Sequence, residues 1–310
     1  MQKRLRVAVI GMGQWGRHHA RIYAGFPDAE LIAVVDRHSA EVRGFAHRYG
    51  TEALTDYRKL AGRVDAVSVV VPTVLHFEVA RFFLAAGVHV LVEKPMTVTV
   101  AEAAELASLA ERKNLVLLVG HVERFKPAVR RLFELVNEPV FIQARRVRPY
   151  DRTRIMDVGV IMDLMVHDLD VVLSLVGGRV VDVGGMGVHV HNSHEDLAVA
   201  QVRLSGGCVA WFLASRVSSD KVAEIEVTCR DRVVHLDYHR QQITVHPFGG
   251  QTERMLIRGE EPLRAELRHF LDCVHGTQRP LVTGGDGVRV LEVANQLLKE
   301  LAVVTPPVRV

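Results

Sequence analysis

The residues best suited to acid–base chemistry lie between Val158 and Val176, in the segment VGVIMDLMVHDLDVVLSLV. The segment has helical length and is apolar almost all round, yet it carries Asp163, His167 and Asp170. At about 100° per residue, these three side chains fall within roughly 60° of one another on a helical wheel. Charged groups on a buried helix are costly unless they are paired or face a cavity. An acid four residues before a histidine can orient its ring and stabilise its protonated form, so the segment predicts either a catalytic pair or a structural Asp–His pair inside a core.

A glycine-rich motif, GMGQWG, follows the first predicted strand and opens a helix. Gly11 permits a tight turn, Gly13 lets the backbone approach a pyrophosphate, and Gly16 lets helix and strand pack closely. The amides at the start of the helix can then bind phosphate. Asp36 stands twenty residues past Gly16, where an acid accepts hydrogen bonds from ribose hydroxyls and repels a 2′-phosphate. The motif therefore predicts NAD in preference to NADP, although Arg37 could neutralise such a phosphate.

Polar residues also follow two later predicted strands. Pro72, Thr73 and His76 follow AVSVVV (66–71), and Glu-Lys-Pro ends and follows VHVLVE (88–93). Ligands of open α/β sheets bind beyond the carboxyl ends of the strands. From the residues alone, Lys94 is either a solvated surface lysine or a side chain that points into this cleft. The predicted cofactor-binding residues are Gly11, Gly13, Gln14, Trp15, Gly16, Asp36, Arg37, Pro72, Thr73, His76, Glu93, Lys94 and Pro95.

The first 120 residues alternate short β-branched runs with helical patterns. The predicted strands are 5–10, 31–36, 66–71, 88–93 and 115–120, and the predicted helices are 14–24, 39–49, 74–87 and 98–114. Continuous apolar strands separated by helices indicate βαβ crossovers and a parallel sheet covered on both faces.

The pattern changes after residues 121–123, where we place the domain boundary. A helix near 124–136 and a strand near 140–148 precede the buried helix. Residues 180–247 alternate in the manner of an antiparallel sheet with two unlike faces. Two helices, 261–274 and 287–301, follow.

Composition and charge exclude several classes of protein. The chain has 310 residues, 48% hydrophobic and 24% charged, which suits about two globular domains. A net charge of +3 is too small to indicate nucleic-acid binding but suits an anionic small molecule. Cys208, Cys229 and Cys273 have no paired spacing, so we expect reduced thiols in a cytoplasmic protein. No apolar stretch is long enough to span a membrane, and the histidine-rich segment 189–196 reads as strand and turn, so we expect no metal.

The whole chain resembles the glucose-fructose oxidoreductase, inositol dehydrogenase and rhizopine-catabolism (Gfo/Idh/MocA) oxidoreductase family. The resemblance rests on Gly11, Gly13, Gly16, Asp36, Glu93, Lys94, Pro95, Asp163 and His167, and the pairing of Glu-Lys-Pro with an Asp-x-x-x-His helix is specific to that family. It implies an α/β fold, with an N-terminal Rossmann doubly wound parallel sheet in residues 1–122. Residues 123–310 would form a substrate-binding and oligomerisation α/β domain built on a large open, mainly antiparallel sheet. It also implies a homodimer or homotetramer that associates through this sheet.

By resemblance, the catalytic residues are Lys94, Asp163 and His167. Lys94 would bind the reacting hydroxyl region, and Asp163 and His167 would form the acid–base pair. An imidazole is suited to accept a hydroxyl proton near neutral pH, and an ammonium group can stabilise developing alkoxide charge. The alternative is that Lys94, as a neutral amine, is the base.

Two segments most resemble the branch of UDP-N-acetylglucosamine 3-dehydrogenases, which oxidise the 3-hydroxyl of the sugar. They are DVGVIMDLMVHDLD and GHVERFKPAV (120–129). The chain departs from the wider family pattern at Val160, Ile161 and Met165, where members often carry glycine. Lys126 also replaces the more usual asparagine or histidine, which leaves the substrate open.

The segment QARRVRPYDRTRIMD supplies arginines just before the buried helix. They could clamp a diphosphate through bidentate hydrogen bonds, or they could line a solvated strand face. The predicted substrate-binding residues are Arg124, Phe125, Arg148, Arg154 and Asp170. The leading prediction is NAD-dependent oxidation of the 3-hydroxyl of a UDP-N-acetylhexosamine. The alternatives are a free-sugar or inositol dehydrogenase, an enzyme that retains its cofactor and shuttles hydride, and a non-catalytic regulator that senses NAD or a sugar.

Overall fold

The computed structural model describes residues 4–152 and 158–304, without the side chains of residues 39–41. The chain forms two compact units. The first comprises residues up to 122 together with 261–288, and the second comprises 123–260 together with residues from 289 onward.

The first unit is built on a six-stranded parallel sheet with strand order β3-β2-β1-β4-β5-β6. The strands are β1 (Leu5–Ile10), β2 (Ala29–Val35), β3 (Glu52–Leu54), β4 (Ala66–Val69), β5 (His89–Glu93) and β6 (Leu117–Gly120). The connecting helices are α1 (Gln14–Ala24), α2 (Ser39–Tyr49), α3 (His76–Ala85) and α4 (Val100–Arg112). The predicted parallel sheet is confirmed. The sequence analysis missed β3, because this short edge strand lacks an apolar run and its Glu52 is exposed.

The second unit contains a nine-stranded mixed sheet with strand order β14-β13-β12-β11-β7-β10-β9-β8-β15. Its strands are β7 (Pro139–Val147), β8 (Val180–Val188), β9 (Leu197–Leu204), β10 (Val209–Ser215), β11 (Val222–Cys229), β12 (Arg232–Asp237), β13 (Gln242–Pro247), β14 (Glu253–Leu256) and β15 (Leu301–Val304). The pairs β7–β10 and β8–β15 are parallel and the other pairs are antiparallel. The helices α5 (Pro127–Leu135) and α6 (Val166–Val176) belong to this unit. The predicted α/β fold class with a mainly antiparallel second sheet is confirmed.

Residues 261–288 lie in the first unit, whereas the sequence analysis assigned everything after residue 122 to the second domain. The helix α7 (Pro262–Val274) explains the difference, because it buries Leu267 and Phe270 completely and packs against α1. Arg268 on α7 also donates to both carboxylate oxygens of Asp28, at 2.6 and 2.8 Å. The chain then continues through α8 (Gly284–Glu300), whose later residues belong to the second unit.

The histidine-rich segment 189–196 forms a loop organised around Asp196. The Asp196 carboxylate accepts the backbone N–H groups of Val190, His191 and Asn192 at 2.7–3.1 Å, and it pairs with the buried Arg216 at 2.9 Å. Over the described ranges, no cluster of histidine, cysteine and acidic side chains is arranged to hold a metal ion. In the same ranges, no helix has the length and apolar character needed to cross a membrane.

Candidate active site

The glycine turn at the carboxyl end of β1 leaves room for a ligand at one position only. Gly11 has φ +96°, and a Cβ there would lie 2.3 Å from the Val70 carbonyl oxygen. A Cβ on Gly16 would lie 1.9 Å from the Gly11 carbonyl oxygen. A Cβ on Gly13, in contrast, would meet no atom within 4 Å. The two outer glycines are therefore required by the fold, and Gly13 presents open backbone to a ligand.

The helix that follows this turn begins without a cap. Gly13 is the N-cap residue of α1, no side chain bonds to the first amides, and the first turn has no acidic residue. Uncapped amides at the positive end of a helix fit an anionic pyrophosphate. Asp36, just past β2, accepts the N–H of Met12 at 2.7 Å and that of His38 at 3.0 Å, so its carboxylate is held beside the turn. These donors and this carboxylate fit the diphosphate and ribose of a dinucleotide.

Lys94 follows β5 in a loop held by buried side chains. The preceding residue, Glu93, places Oε1 at 3.1 Å from Nε2 of His19 on α1, and its Oε2 accepts the Lys94 N–H at 3.2 Å. The Lys94–Pro95 peptide bond is cis. Lys94 itself is half-buried.

His76 is a buried bridge rather than an exposed cofactor ligand. Its Nδ1 lies 2.9 Å from the Pro95 carbonyl oxygen and its Nε2 lies 2.8 Å from the Val71 carbonyl oxygen. Burial lowers the pKa of His76, and the two carbonyl oxygens and Glu93 only partly oppose this. A neutral imidazole carries a single N–H, so the ring donates to one of these carbonyl oxygens and lies close to the other. A direct cofactor contact by His76 stays a prediction.

The predicted helix over residues 158–176 consists of two parts. Ile161–Met165 form a π-helical turn, and α6 continues from Val166 to Val176. A π turn bonds each residue to the fifth along and marks an inserted residue, and such turns are frequent at functional sites. Asp163 lies in the π turn and His167 in α6. The angular positions expected at 100° per residue therefore apply only from Val166 onward.

Asp163 and His167 are both half-buried, unlike the apolar residues around them. Asp163 Oδ2 accepts a hydrogen bond from Nη2 of Arg148 at 3.3 Å. Arg148 follows β7, so a residue at the end of a strand supplies a cation beside this carboxylate. A carboxylate and an imidazole at the open face of a buried helix can exchange a proton with a ligand.

Two buried ion pairs hold α6 from the side. Nε and Nη2 of Arg124 donate to the two carboxylate oxygens of Asp170, each at 2.8 Å. Arg146 binds Asp168 in the same bidentate way, at 2.9 and 2.8 Å, and also donates to Glu123 at 3.1 Å. Burial raises the pKa of Glu123, but Arg146 and Lys126 lower it below its ordinary value. Each carboxylate therefore has a guanidinium partner inside the fold.

Charged groups also bind both ends of this helical segment. Glu195 Oε1 accepts the Ile161 N–H at 3.0 Å, and its carboxylate lies where any side chain on Gly159 would have to be. At the other end, Arg289 donates to the carbonyl oxygens of Leu173, Gly177 and Gly178. An anion at the first amides and a cation at the last carbonyls both complement the helix dipole.

The other predicted site residues lie in varied surroundings. In the first unit, Gln14, Trp15, Arg37 and Pro72 are exposed and Thr73 is half-buried. In the second, Phe125 is fully buried beside Arg124, and Arg154 lies outside the described residues. The sequence analysis did not single out His19, Glu123, Asp168 or Arg289, nor a capping role for Glu195. Their partners lie far away in the chain, so no local motif marks them.

The fold and the turn together define the class of the first unit. A parallel sheet with a glycine turn after its first strand, an uncapped helix and an acid after the second strand is an NAD(P)-binding Rossmann domain. Residues 5–121 match the NAD-binding Rossmann fold of the Gfo/Idh/MocA oxidoreductase family, and residues 138–235 match the Gfo/Idh/MocA C-terminal domain.

The chain belongs to the Gfo/Idh/MocA family of NAD(P)-binding oxidoreductases, a family of sugar dehydrogenases. It is 36% identical to UDP-N-acetylglucosamine 3-dehydrogenase of Acidithiobacillus ferrooxidans over 94% of this chain and 96% of that protein. It is 26% identical to scyllo-inositol 2-dehydrogenase (NAD(+)) of Bacillus subtilis over 94% and 93% of the two chains. A structure of the Acidithiobacillus ferrooxidans enzyme superposes with a TM-score of 0.91, 34% identity and coverage of 96% and 98%.

Proposed function

We propose that this oxidoreductase oxidises the 3-hydroxyl of a UDP-N-acetylhexosamine with NAD. The observation that carries the proposal is the 36% identity, over nearly the full length of both chains, to an enzyme named for that reaction. The site geometry supports it, because Asp163 and His167 are the half-buried polar side chains of an otherwise buried helix. Lys94 stands at the carboxyl end of β5, where ligands of such sheets bind.

In the proposed reaction, side chains of the protein accept the hydroxyl proton and stabilise the charge that develops on the hydroxyl oxygen. Bound NAD supplies the hydride acceptor. His167 takes the hydroxyl proton, and Asp163 orients the ring and favours its protonated form. Arg148 pairs with Asp163, and the Lys94 ammonium stabilises negative charge that develops on the oxygen. The alternative assignment makes Lys94 the base.

We propose NAD in preference to NADP because of Asp36. Its carboxylate is fixed by two backbone amides beside the turn and would repel a 2′-phosphate. The exposed neighbour Arg37 favours NADP instead. Binding titrations with NADH and NADPH test this point, and Asp36→Ser should narrow the difference between the two affinities. Equal affinities in the unmodified protein would contradict it.

The buried Arg124 was predicted to bind the substrate, but its pairing inside the fold favours a structural role. Arg124 and Asp170 satisfy each other, so we propose that they hold Phe125 and α6 in place while the substrate contacts other groups. Among the arginines before the helix, Arg152 is exposed and therefore accessible to a diphosphate. A free sugar or inositol is the second candidate substrate, favoured by the full-length match to the inositol dehydrogenase.

A screen for NADH formation tests the activity and the substrate together. UDP-N-acetylhexosamines, free hexoses and inositols are each supplied with NAD, and we expect turnover with the nucleotide sugar alone. Thermal stabilisation by UDP-sugars but not by free sugars would give independent support. Turnover with inositol alone would replace the first candidate with the second. Binding of NAD and sugar without any turnover would instead favour a sensing role.

Substitution of the proposed base should separate chemistry from binding. His167→Ala should lower kcat by about 100-fold or more, the usual contribution of a general base. The dissociation constant for NADH should stay within about twofold, since no binding role is assigned to this ring. Unchanged turnover would eliminate the role of His167. A kcat/KM profile that keeps its acidic limb in this variant but loses it in Lys94→Ala would assign the base to Lys94.

We also propose that the protein is a homo-oligomer that associates through the open face of the nine-stranded sheet. Neighbouring strands place Met186, Val199, Leu213 and Trp211 on this face, and Trp211 is 50% exposed. Exposed apolar patches of this kind are typical of interfaces. Light scattering should show an assembly that Trp211→Asp dissociates. A monomeric parent protein would contradict the proposal.

A further inference from the structure

The first unit contains a buried histidine that the proposed reaction does not use. His19 lies on α1, three residues after Gly16, and its side chain is fully buried. Its Nε2 lies 3.1 Å from Glu93 Oε1, and its Nδ1 has no hydrogen-bond partner. A carboxylate can only accept here, so Nε2 carries the hydrogen.

The Glu93 carboxylate that contacts His19 also binds the backbone of Lys94. Its Oε2 accepts the backbone N–H of Lys94, and its side chain packs over Gly120 at the end of the neighbouring strand β6. A Cβ at Gly120 would lie 3.0 Å from Glu93 Oε2, so the carboxylate has little room to move in that direction. Burial raises the pKa of Glu93, while the His19 hydrogen bond and the Lys94 charge bring it below its ordinary value. The carboxylate therefore stays charged beside Lys94.

A second buried imidazole holds the other side of the same loop. The His76 ring lies between the Pro95 and Val71 carbonyl oxygens, with Nδ1 2.9 Å from the first and Nε2 2.8 Å from the second. The Lys94 backbone is thus held by Glu93 on one side and by His76 on the other. The His19–Glu93 bond differs from the His76 bridge in one respect. It starts on α1, the helix whose first amides fit the dinucleotide.

We infer that His19 is a positioning residue for Lys94, acting through the Glu93 carboxylate. By fixing this carboxylate, the imidazole sets both the path of the Lys94 backbone and the location of a negative charge that interacts with the Lys94 charge. The same bond connects the helix at the pyrophosphate end of the site to the lysine at its reactive end. The expected change in kcat rests on the proposed function of Lys94. The expected change in the chemical reactivity of the Lys94 amine does not.

The test compares His19→Phe, which removes the donor, with His19→Gln, whose amide N–H can still reach Glu93. His19→Phe should lower kcat by about 10- to 100-fold, the scale of a misplaced catalytic group. His19→Gln should recover most of that loss, and the dissociation constant for NADH should stay within about threefold in both variants. His18→Gln is the matched control, because His18 is the exposed neighbour and should change none of these quantities.

A second readout does not depend on any substrate. Competitive acetylation with acetic anhydride, followed by mass spectrometry, measures the reactivity of Lys94 against the exposed Lys113 in the same protein. We expect His19→Phe to change the Lys94 rate by at least about threefold and His19→Gln to restore it, since the environment of an amine sets its reactivity. If no substrate is turned over, the proposed function fails while this labelling result still decides the role of His19.

Three outcomes would overturn the inference. His19→Phe could keep both the turnover and the Lys94 reactivity of the parent protein. It could lose turnover with unchanged Lys94 reactivity, which would mean that the effect passes through another group. Finally, His19→Gln and His19→Phe could lose activity and melting temperature equally, which would mean that His19 only fills the core.

Discussion

The glycine turn of the first unit and the helical segment of the second are held in place by different means. The turn depends on close backbone contacts, because a Cβ on Gly16 would collide with the Gly11 carbonyl oxygen and a Cβ on Gly11 with the Val70 carbonyl oxygen after β4. The helical segment depends on side chains that are distant in the chain. Arg124 is 46 residues from Asp170, and Arg289 is 116 residues from Leu173. The glycine turn is fixed by steric contacts of its backbone. The helical segment is fixed by charge pairing between residues that are far apart in the chain.

This difference predicts different responses to substitution. A close backbone contact at a glycine is disrupted when a side-chain atom is added. A buried charge pair is disrupted when one partner is removed. Breaking a buried pair leaves an uncompensated charge and costs about 3–5 kcal/mol, whereas an exposed pair is worth about 0–1 kcal/mol. The second unit should therefore be the more sensitive to loss of a single charge.

The largest effect is expected for Arg146→Met. This change leaves both Glu123 and Asp168 without their shared guanidinium inside the fold. The free energy of unfolding, measured in urea, should fall by about 3–5 kcal/mol. The neighbouring Arg145 is half-exposed and pairs with Glu224 at 3.5 Å, so Arg145→Met is a matched control with an expected change below about 1 kcal/mol. Equal losses in the two variants would remove the distinction between buried and exposed pairs.

The same contrast explains what the sequence could predict. GMGQWG places every residue of the turn within six positions, and the strand and helix periods around it are strong, so the Rossmann sheet and its glycines follow from local pattern. Asp163 and His167 could be selected because polar residues interrupt an apolar run. The partners of the helical segment could not be found in this way, because Glu195 and Arg289 become its end caps only through the fold. The π turn was missed for a similar reason, since the apolar run 160–166 reads equally well as an α-helix.

The unit to which residues 261–288 belong could not be predicted from local sequence either. Their helical pattern was predicted, but nothing local in EPLRAELRHFLDCV indicates that Arg268 binds Asp28, 240 residues away. Chain order therefore predicted a single boundary between the two domains. In the structure, residues 261–288 pack with the first unit. The arginines of 145–148 were predicted either to clamp a diphosphate or to line a solvated strand face. Their partners in the fold, Glu123, Asp163, Asp168 and Glu224, decide which of them remain accessible.

The glycine turn itself can be tested by adding one methyl group at two places. In Gly16→Ala the new Cβ would lie 1.9 Å from the Gly11 carbonyl oxygen, and we expect a loss of roughly 2–3 kcal/mol in the free energy of unfolding. In Gly13→Ala the Cβ enters open space, so stability should change by less than about 0.5 kcal/mol. The NADH dissociation constant should rise about tenfold or more in Gly13→Ala, because the methyl group occupies the approach to the pyrophosphate. Unchanged NADH affinity in Gly13→Ala would contradict the proposed cofactor position.

Asp196 should make the second unit sensitive to acid. Burial raises its pKa, but the N–H groups of His191, Val190 and Asn192 and the Asn192 side chain lower it from 3.8 to about 2. A carboxyl group whose pKa is lower in the folded state stabilises the fold above the unfolded pKa, and this contribution disappears as the pH falls through the folded value. The protein should lose about 2 kcal/mol from this group between about pH 4 and pH 2. In Asp196→Asn, urea unfolding should show that much less dependence on pH over the same interval, and an unaltered dependence would show that other groups control acid unfolding.

The smallest expected effect concerns the cap on the π turn. Glu195→Gln keeps an oxygen that can accept the Ile161 N–H but removes the charge that faces the helix start. Loss of a favourable charge at a helix N-terminus costs about 0.3–1 kcal/mol, up to about 2 kcal/mol when it is buried. We therefore expect a loss of about 1 kcal/mol in the free energy of unfolding. Because the Glu195 carboxylate binds the turn that carries Asp163, the fall in kcat should exceed the change in KM for the sugar. A matched substitution at the exposed Glu253 of the edge strand β14, Glu253→Gln, should alter neither quantity. If Glu195→Gln lowers stability but leaves kcat unchanged, the cap stabilises the unit without positioning Asp163, and the helical segment is then held for catalysis by its lateral ion pairs alone.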